Sequence, residues 1–326
     1  MSTRFVRACS ALAAVVLTAT AGDQWPNHPA SEPVTLSPPP VAAARAAALA
    51  PRQLPAAPGC NPRASLRLQG PLPAPGHMPA GSTMARIVER GHLIAGIGRD
   101  TYPFAFRDAN LRPEGFEIDI VRDIAEAIFG DRERVAFRPA PQVSRFETVT
   151  SGQVDLVVAT ATSTCTRREL VDFSAVYYEA GQRVLVNRGS AVRDLDDLRD
   201  KPVCASRGST SLGKILAASS KPIPVGADTS TDCLMLLQLG AVDAVSTDDT
   251  LLAGLAAQDP RTEVVGPRFT EEPYGIVIHK DTPDLVRFVN AVLENRARDG
   301  RWRASYERWL SLLGPPPPPP VPQYRD

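Results

Sequence analysis

Polar and charged side chains that could together hold a zwitterion follow four apolar stretches of the sequence. A guanidinium can grip a carboxylate through two parallel hydrogen bonds, a carboxylate can hold an ammonium group, and hydroxyl groups can complete the shell. Each segment alone is typical of helix capping, but the four together favour a binding site. The residues are Arg99 and Phe104 after Ile97, Thr160, Thr162 and Arg167 after Val158, Ser209 and Thr210 after Ala205, and Asp248 after Ser246.

The apolar stretches before these residues are predicted to be buried strands that alternate with helices. Leu93–Ile97 and Val154–Val158 are short, continuous apolar runs typical of such strands. Residues 117–129 carry apolar side chains at helical spacing and are followed by Gly130, a common helix stop. Repeated strand–helix units predict an α/β fold with parallel sheets covered by helices. Ligands of such folds bind beyond the carboxyl ends of the strands, where the polar residues stand.

The charge balance and the spacing of the motifs exclude several classes of protein. The chain of 326 residues has 36 Lys and Arg against 36 Asp and Glu, which argues against a basic surface for nucleic acid. Gly96-Ile97-Gly98 lacks the third glycine of a dinucleotide site. We therefore expect no nucleic-acid partner, no cofactor and no metal.

The first 21 residues are predicted to be a secretory signal sequence. Arg4 and Arg7 give it a positive start, residues 8–21 are uncharged and largely apolar, and Ala19–Ala21 fits a cleavage site. The alternative is an uncleaved membrane anchor, although the run is short for a bilayer. Cys9 precedes the apolar run, so a lipid anchor is not supported. The chain is therefore expected to be exported, to the cell envelope or the medium.

Two proline-rich flanks bracket the globular part of the chain. Of the 32 prolines, 14 lie in residues 22–81 and seven in residues 315–326. Frequent proline interrupts helices and strand ladders alike, so residues 22–83 are predicted to be a semi-extended tether. Residues 314–326 are predicted to be a solvated proline-rich tail, with a docking ligand as the alternative.

Four cysteines lie beyond the predicted signal sequence, namely Cys60, Cys165, Cys204 and Cys233. An even number in an exported protein favours disulfides, and the spacings match no zinc pattern. Cys204 and Cys233 lie in one local stretch, so we expect them to pair and to leave Cys60 with Cys165.

Three segments of the chain carry a family resemblance. The run Gly115-Phe116-Glu117-Ile118-Asp119-Ile120, with the apolar residues that follow it, is similar to the signature of family 3 extracellular solute-binding proteins, which serve polar amino-acid ABC transporters. Val154–Tyr178 resembles the ligand-binding stretch of that family, and Tyr274–Leu310 resembles its C-terminal block. The likeness spans about residues 85–313 and is greatest to actinobacterial glutamine/glutamate-binding proteins.

The resemblance implies a two-lobed type II periplasmic-binding-protein fold, in which two Rossmann-like α/β lobes are joined by two crossings. Lobe 1 is then expected at about 84–187 plus 272–313, and lobe 2 at about 188–271. The lobes would close over an amino acid and deliver it to the permease subunit of an ABC transporter in the membrane. The implied protein is a monomer that performs no chemistry.

The resemblance also implies how the α-groups of the ligand are held. Arg167 would hold the α-carboxylate, with Thr160 and Thr162 as partners, and Asp248 would hold the α-ammonium group. Because Arg167 and Asp248 belong to opposite lobes, one amino acid would bridge both and favour the closed state.

The side chain of the ligand is expected to meet basic residues. By resemblance, Arg145 stands where glutamate/aspartate binders carry an arginine for the distal carboxylate, the alternative being a solvated residue at a helix start. Arg99 lies one position from a second basic residue of that group, where this chain has Gly98. Ser209 and Thr210 would add contacts from lobe 2. An acidic amino acid is the first expectation and glutamine the second.

Two other functions are compatible with the same resemblance. A sensor would use the same closure to signal to a membrane partner that controls a kinase, through the same binding residues. An enzyme, such as a dehydratase of prephenate-like acids, is less favoured because His92 and His279 flank strands without an evident partner. Glu117 and Asp119 are most simply helix-capping or surface charges.

Overall fold

The computed structural model describes residues 59–326 of the chain. The predicted signal sequence, residues 1–21, and most of the predicted tether lie outside these described residues. Among the helices of residues 59–326, none has the length and apolar character needed to cross a membrane.

Strands and helices alternate along most of the described chain. The strands are β1 (Ala64–Ser65), β2 (Leu93–Ile97), β3 (Phe106–Arg107), β4 (Pro113–Glu114), β5 (Val135–Pro139), β6 (Leu156–Val158), β7 (Asp172–Phe173), β8 (Tyr178–Ala180), β9 (Gln182–Asn187), β10 (Pro202–Ser206), β11 (Ile223–Ala227), β12 (Ala244–Asp248), β13 (Thr262–Val265), β14 (Glu272–Tyr274), β15 (Val277–Ile278) and β16 (Gln323–Tyr324). The helices are α1 (Thr83–Arg90), α2 (Phe116–Phe129), α3 (Arg145–Thr150), α4 (Cys165–Arg168), α5 (Thr210–Leu216), α6 (Ser230–Gln238), α7 (Asp249–Gln258), α8 (Pro283–Arg298) and α9 (Arg301–Trp309).

Lobe 1 is built on a five-stranded sheet with the order β5-β2-β6-β15-β7. Strand β2 pairs in parallel with β5 and β6, whereas β15 runs antiparallel to β6 and β7. Helix α2 packs on this sheet and against α8 and α9. The apolar stripe of α2, which includes Ile120, Ile124 and Ile128, is fully buried in the resulting core. Burial of each such side chain stabilises the fold by roughly 2 kcal/mol.

The glycine before α2 is required by a close approach of two backbones. Gly115 has a φ of 126°, and a Cβ atom there would lie 2.3 Å from the carbonyl oxygen of Phe104. The same carbonyl accepts a 2.9 Å hydrogen bond from the N–H of Glu117. Gly115 therefore lets the loop after β2 dock directly on the first turn of α2.

Lobe 2 is built on a second five-stranded sheet with the order β11-β10-β12-β9-β13. Strand β10 pairs in parallel with β11 and β12, and β9 runs antiparallel to β12 and β13. Helices α5, α6 and α7 pack on this sheet. Strand β10 ends at Ser206 and strand β12 ends at Asp248. Because the two strands are parallel, the polar segments that begin at these residues lie at the same edge of the sheet.

Two paired strands connect the lobes. Strands β8 and β14 run antiparallel, with Ala180 opposite Glu272 and Tyr178 opposite Tyr274. The predicted boundary between lobes at residues 187 and 188 is wrong, because β9 belongs to the sheet of lobe 2. The apolar side chains of Val184, Leu185 and Val186 are buried there between β12 and β13. Lobe 1 therefore gives way to lobe 2 near Gly181.

The described part of the predicted tether and the predicted tail are folded onto lobe 1. Strand β1 pairs in parallel with β16, and the side chain of Ser65 is fully buried. The Tyr324 hydroxyl donates a 2.5 Å hydrogen bond to Glu294, and Arg325 pairs with Asp172 at 3.2 Å. These polar anchors on α8 and β7, together with Leu66, Leu72 and Met78 packed against the core of lobe 1, fix the two segments. Their proline-rich composition did not predict this docking.

The two expected disulfides are both present. Cys204 and Cys233 join β10 to α6 in the core of lobe 2, where both residues are fully buried. Cys60 and Cys165 join the segment before β1 to α4, and both are only partly buried. The second disulfide therefore holds the former tether residues beside the helix that carries Arg167.

Candidate functional site

A cavity of about 420 Å³ lies between the two lobes. Lobe 1 contributes the loop after β2, the start of α3 and the end of β6, and lobe 2 contributes the start of α6. The lining residues used below are Arg99, Arg145, Thr160, Asp228, Thr229 and Ser230. The volume lies in the range of small-molecule sites.

Arg145 is buried at the wall of this cavity, with 2% of its surface exposed. Its Nη1 donates a 2.7 Å hydrogen bond to the carbonyl oxygen of Ala159, and the carbonyl oxygen of Thr160 lies at 3.4 Å. Its Nε has no hydrogen-bond partner within residues 59–326. Burial lowers the pKa of the guanidinium. The hydrogen bonds of this buried guanidinium go to neutral carbonyls, although the carboxylates of Asp248 and Glu117 lie near enough to act on its charge. A buried charge with no carboxylate hydrogen-bonded to it in the described chain attracts an anion.

Arg167 lies on α4, a single turn whose start is capped by the side chain of Thr164. Its Nη1 donates to the carbonyl oxygen of Thr162 at 2.8 Å, and its Nη2 donates to the carbonyl oxygen of Gly208 in lobe 2 at 3.1 Å. Burial, with the nearby charge of Arg145, lowers the pKa of Arg167 to about 9. Arg167 therefore reaches across the interlobe gap, next to the cavity and not in its wall.

Both predicted threonines of lobe 1 are buried at the end of β6. Thr160 lines the cavity in a left-handed conformation with a φ of 43°. Its N–H donates a 2.6 Å hydrogen bond to Oε1 of Glu117. Thr162 forms a backbone bridge with Tyr274 and offers its carbonyl oxygen to Arg167. The strained turn at Thr160 is thus held by a carboxylate and not by local sequence.

Glu117 is a fully buried carboxylate, so the expectation of a capping or surface charge is wrong for it. Besides the N–H of Thr160, its Oε1 accepts a hydrogen bond from the Tyr177 hydroxyl, while its Oε2 has no partner in the described chain. Burial raises the pKa of Glu117 to about 7. Asp119 likewise accepts hydrogen bonds from Ser305 and Trp309, which tie α2 to α9.

Asp248 stands at the end of β12, where α7 begins. It is 5% exposed, and its Oδ2 accepts a 2.5 Å hydrogen bond from the Tyr274 hydroxyl, while Oδ1 lies 3.5 Å from the Ser211 hydroxyl. Burial and the neighbouring charge of Glu272 raise the pKa of Asp248. The site on lobe 2 therefore contains a carboxylate that the crossing strand β14 orients.

The hydroxyl groups of lobe 2 are already engaged. Thr210 donates a 2.9 Å hydrogen bond to Oε2 of Glu272 in the crossing strand. Ser209 accepts from the N–H of Leu212 as the cap of α5 and donates to the carbonyl oxygen of Ser206 at 2.6 Å. Both hydroxyl groups therefore already have partners within the protein, and the contacts of Ser209 and Thr210 with a ligand stay a prediction.

Arg99 and Phe104 are placed differently from each other. Arg99 is exposed and lines the cavity. Phe104 is fully buried, and its ring meets those of Phe116 and Tyr178 at centroid distances of 5.6 and 5.2 Å. The expectation that Phe104 touches ligand is wrong, because its side chain belongs to the aromatic core of lobe 1.

The lobes are in direct contact on both sides of the cavity. A Cβ atom at Gly254 of α7 would lie 1.9 Å from the carbonyl oxygen of Tyr102 in lobe 1. A Cβ atom at Gly208 of lobe 2 would lie 3.4 Å from the Cα atom of Val143 in lobe 1. Together with the bond from Arg167 to Gly208, these contacts define a closed arrangement.

Three residues of this site were not predicted from the sequence. Glu272 and Tyr274 lie on the second crossing, where Glu272 accepts a hydrogen bond from Thr210 and Tyr274 donates one to Asp248. Tyr177 lies just before the first crossing and donates a hydrogen bond to Glu117. The one available signal was that Tyr274 opens the C-terminal block. Within residues 59–326, no cluster of His, Cys, Asp and Glu is arranged to hold a metal ion.

Comparison with known proteins identifies the family. The model of bacterial extracellular solute-binding proteins, family 3, matches residues 93–312. The ABC transporter glutamine-binding protein GlnH of Bacillus subtilis is 34% identical over 230 residues, which cover 70% of this chain and 84% of that protein. The glutamate-binding protein GluB of Corynebacterium efficiens is 30% identical over 252 residues, which cover 74% and 84%.

Solved structures agree with the fold described above. The solute receptor for L-cysteine of Neisseria gonorrhoeae superposes with a TM-score of 0.68 at 30% identity, covering 72% of this chain and 96% of that one. The prediction of a two-lobed type II α/β fold is therefore confirmed. With its family model matched over both lobes, the chain belongs to the bacterial extracellular solute-binding proteins of family 3.

Proposed function

We propose that this protein is an exported amino-acid-binding protein that captures glutamate or aspartate by lobe closure and delivers it to the permease of an ABC transporter. One observation carries the proposal. Arg145 is buried and Arg167 is half-buried beside the interlobe cavity, and the hydrogen bonds of both guanidinium groups go to neutral carbonyl oxygens. Two guanidinium groups in that state fit a ligand with two carboxylates.

Arg167 is proposed to hold the α-carboxylate, and Asp248 the α-ammonium group. The two side chains come from opposite lobes and border the same closed gap. A ligand that bridges them gains its full set of contacts only when the lobes are closed, so binding shifts the population towards the closed state.

Arg145 is proposed to select an acidic side chain. Its Nε is unpartnered in the described chain and the residue borders the cavity. A carboxylate at this point would satisfy the buried donor and the buried charge, whereas a neutral amide would satisfy only the donor. Relatives whose names specify glutamate, aspartate or glutamine support this class of ligand.

Calorimetric titration of the purified chain with each of the twenty amino acids tests this proposal. We expect heat of binding with glutamate and aspartate at micromolar or tighter dissociation constants, weaker binding of glutamine, and none of leucine. Tight binding of arginine or histidine with no response to an acidic amino acid would contradict the assignment of Arg145. Chemical analysis of the ligand after a long incubation should return it unchanged, since no chemistry is expected.

The export of the protein is also a proposal, supported by its two disulfides and by the family to which it belongs. Fractionation of cells that express the full chain should place the protein outside the cytoplasm. Recovery of the intact precursor from the cytoplasm alone would contradict export. Light scattering of the purified protein should return the mass of a single chain, which is 35.0 kDa for the full 326 residues and less after removal of the signal sequence, as expected of a monomer.

A further inference from the structure

The helix that carries Arg167 is too short to hold itself in place. Helix α4 contains only Cys165–Arg168, a single turn, and isolated turns of this length are unstable because nucleation costs more than one hydrogen bond returns. Its N-cap, Thr164, satisfies one N–H at 3.2 Å. The position of the Arg167 guanidinium must therefore depend on what lies against this turn.

The segment before β1 lies against that turn and ties it at three points. Cys60 is bonded to Cys165. The carbonyl oxygen of Pro62 accepts hydrogen bonds from the Ser163 hydroxyl at 2.7 Å and from Nε of Arg168 at 3.2 Å. The turn is thus anchored just before and just after Arg167.

The other end of the same segment is fixed to the crossings. Arg63 pairs with Glu179 of β8 and, at 2.9 Å, with Glu271, the residue before β14. Ser65 is fully buried, and its hydroxyl donates to the carbonyl oxygen of Phe173 at 2.8 Å. The segment therefore links α4 to the crossing strand β8 and to the residue that precedes the crossing strand β14.

We infer that residues 60–65 are a positioning element of the ligand site, which hold Arg167 in its binding orientation through the Cys60–Cys165 bond and the Pro62 carbonyl. The inference rests on the proposed role of Arg167 as partner of the α-carboxylate. Holding the turn in place before the ligand arrives removes an ordering cost that binding would otherwise carry. Loss of the Cys60–Cys165 bond should weaken the binding of every ligand that has an α-carboxylate, and by the same factor.

The first test removes the Cys60–Cys165 disulfide from the full chain by the double substitution Cys60→Ser and Cys165→Ser. We expect the dissociation constants of glutamate, aspartate and glutamine to rise together by about tenfold, with their ratios unchanged. A matched control is Arg287→Ala, which removes the ion pair with Asp326 and the hydrogen bond to the carbonyl oxygen of Arg67 on the same flank without touching α4, and should leave binding as it is. A change in the dissociation constant of one ligand alone would contradict the inference, and so would an equal loss of affinity in the control variant.

A double-mutant cycle separates positioning from general destabilisation. In a background of Arg167→Lys, whose single ammonium group cannot form two parallel bonds, removal of the disulfide should cost less than about twofold. If the cost stays at tenfold there, the disulfide does not act through Arg167 and the inference fails.

Selective reduction provides a measurement that does not depend on refolding a variant. Cys204 and Cys233 are fully buried, whereas Cys60 and Cys165 are partly exposed. Mild dithiothreitol should therefore reduce the second pair alone, as the reagent is oxidised to its cyclic disulfide and two cysteine thiols form. Alkylation and peptide mapping verify which pair was opened. The same tenfold loss is expected, and an unchanged dissociation constant would overturn the inference.

These outcomes remain distinct from failure of the proposed function. If the untreated wild-type chain binds no amino acid, the proposed function fails, and the inference fails with it. If the wild type binds and the disulfide-free protein binds equally well, only the inference fails.

Discussion

Nη2 of Arg167 donates a 3.1 Å hydrogen bond to the carbonyl oxygen of Gly208, so that a single side chain joins the two lobes. The same guanidinium donates to the carbonyl oxygen of Thr162 at 2.8 Å. Both acceptors are neutral, and burial lowers the pKa of the arginine to about 9. An arriving carboxylate would exchange a neutral acceptor for a charged one at the boundary between the lobes.

Replacement of Arg167 by alanine should abolish binding of all amino acids. The change removes the proposed partner of the group they share, and an unpaired buried carboxylate costs about 3 kcal/mol, or more than 100-fold in the dissociation constant. Calorimetry against glutamate and glutamine measures this. Arg303→Ala is the control, because that exposed arginine pairs with Glu307 on the same helix, α9. Binding within threefold of wild type in the Arg167 variant would remove this residue from the site.

Replacement of Arg145 by alanine should affect ligands unequally. We expect about a 100-fold loss for glutamate and aspartate and about a tenfold loss for glutamine, because only the acidic side chains lose a charge partner. The readout is the ratio of dissociation constants measured on one preparation. Equal losses for the three ligands would show that Arg145 does not read the ligand side chain.

The carboxyl group of Glu117 should make stability fall as the pH rises. Its pKa is about 7 in the folded chain and about 4.5 when unfolded, so the folded state holds a proton that unfolding releases. The contribution is complete below pH 4.5 and is lost as the pH rises to about 7, at up to about 1.4 kcal/mol per pH unit and about 3 kcal/mol in all.

Urea unfolding from pH 4.5 to 8 measures this effect against Glu117→Gln, which keeps the shape but cannot ionise. The wild type should lose stability relative to the variant as the pH rises, with a plateau above about pH 7. A difference between the two proteins that stays constant over the whole range would contradict the assignment.

Ligand binding should release a proton from Asp248. Burial and the charge of Glu272 raise the pKa of this carboxyl, and an ammonium group favours its ionised form. The affinity should therefore increase with pH until Asp248 is ionised in the free protein. Titrations in two buffers of different ionisation enthalpy measure the released proton directly. Asp248→Asn should weaken binding and eliminate the release from this group, and an undiminished release in that variant would assign the proton elsewhere.

The elements of the two sheets could be predicted because continuous apolar runs identify buried strands. The run Leu93–Ile97 coincides with β2, and the apolar spacing of residues 117–129 coincides closely with α2. Which sheet receives a strand is a different matter. Only the centre of β9, Val184–Val186, is apolar, and so short a run is equally suited to the sheet of either lobe. The boundary was therefore predicted too late in the chain.

The site was harder to predict wherever a polar group is satisfied by a distant one. Glu117 precedes an apolar helical pattern, where a carboxylate normally caps or faces water, yet Tyr177 and the N–H of Thr160 hold it inside. The tail is similar, since the hydroxyl of Tyr324 is held by Glu294 of α8. Local patterns contain no information about such partners, which lie more than 25 residues away.

The pairing of Ala180 with Glu272 has a topological consequence. The chain leaves lobe 1 at Ala180 and returns to it at Glu272, two residues that face each other in one short ladder. Lobe 2 is therefore an insertion in a single loop of lobe 1. Such a unit is contiguous in the gene, from about Gly181 to Glu271, and it contains Asp248. Exchange of this one segment between relatives would replace Asp248, the proposed partner of the ammonium group, while leaving Arg145 and Arg167 in their original framework, a modular route by which new selectivity can arise.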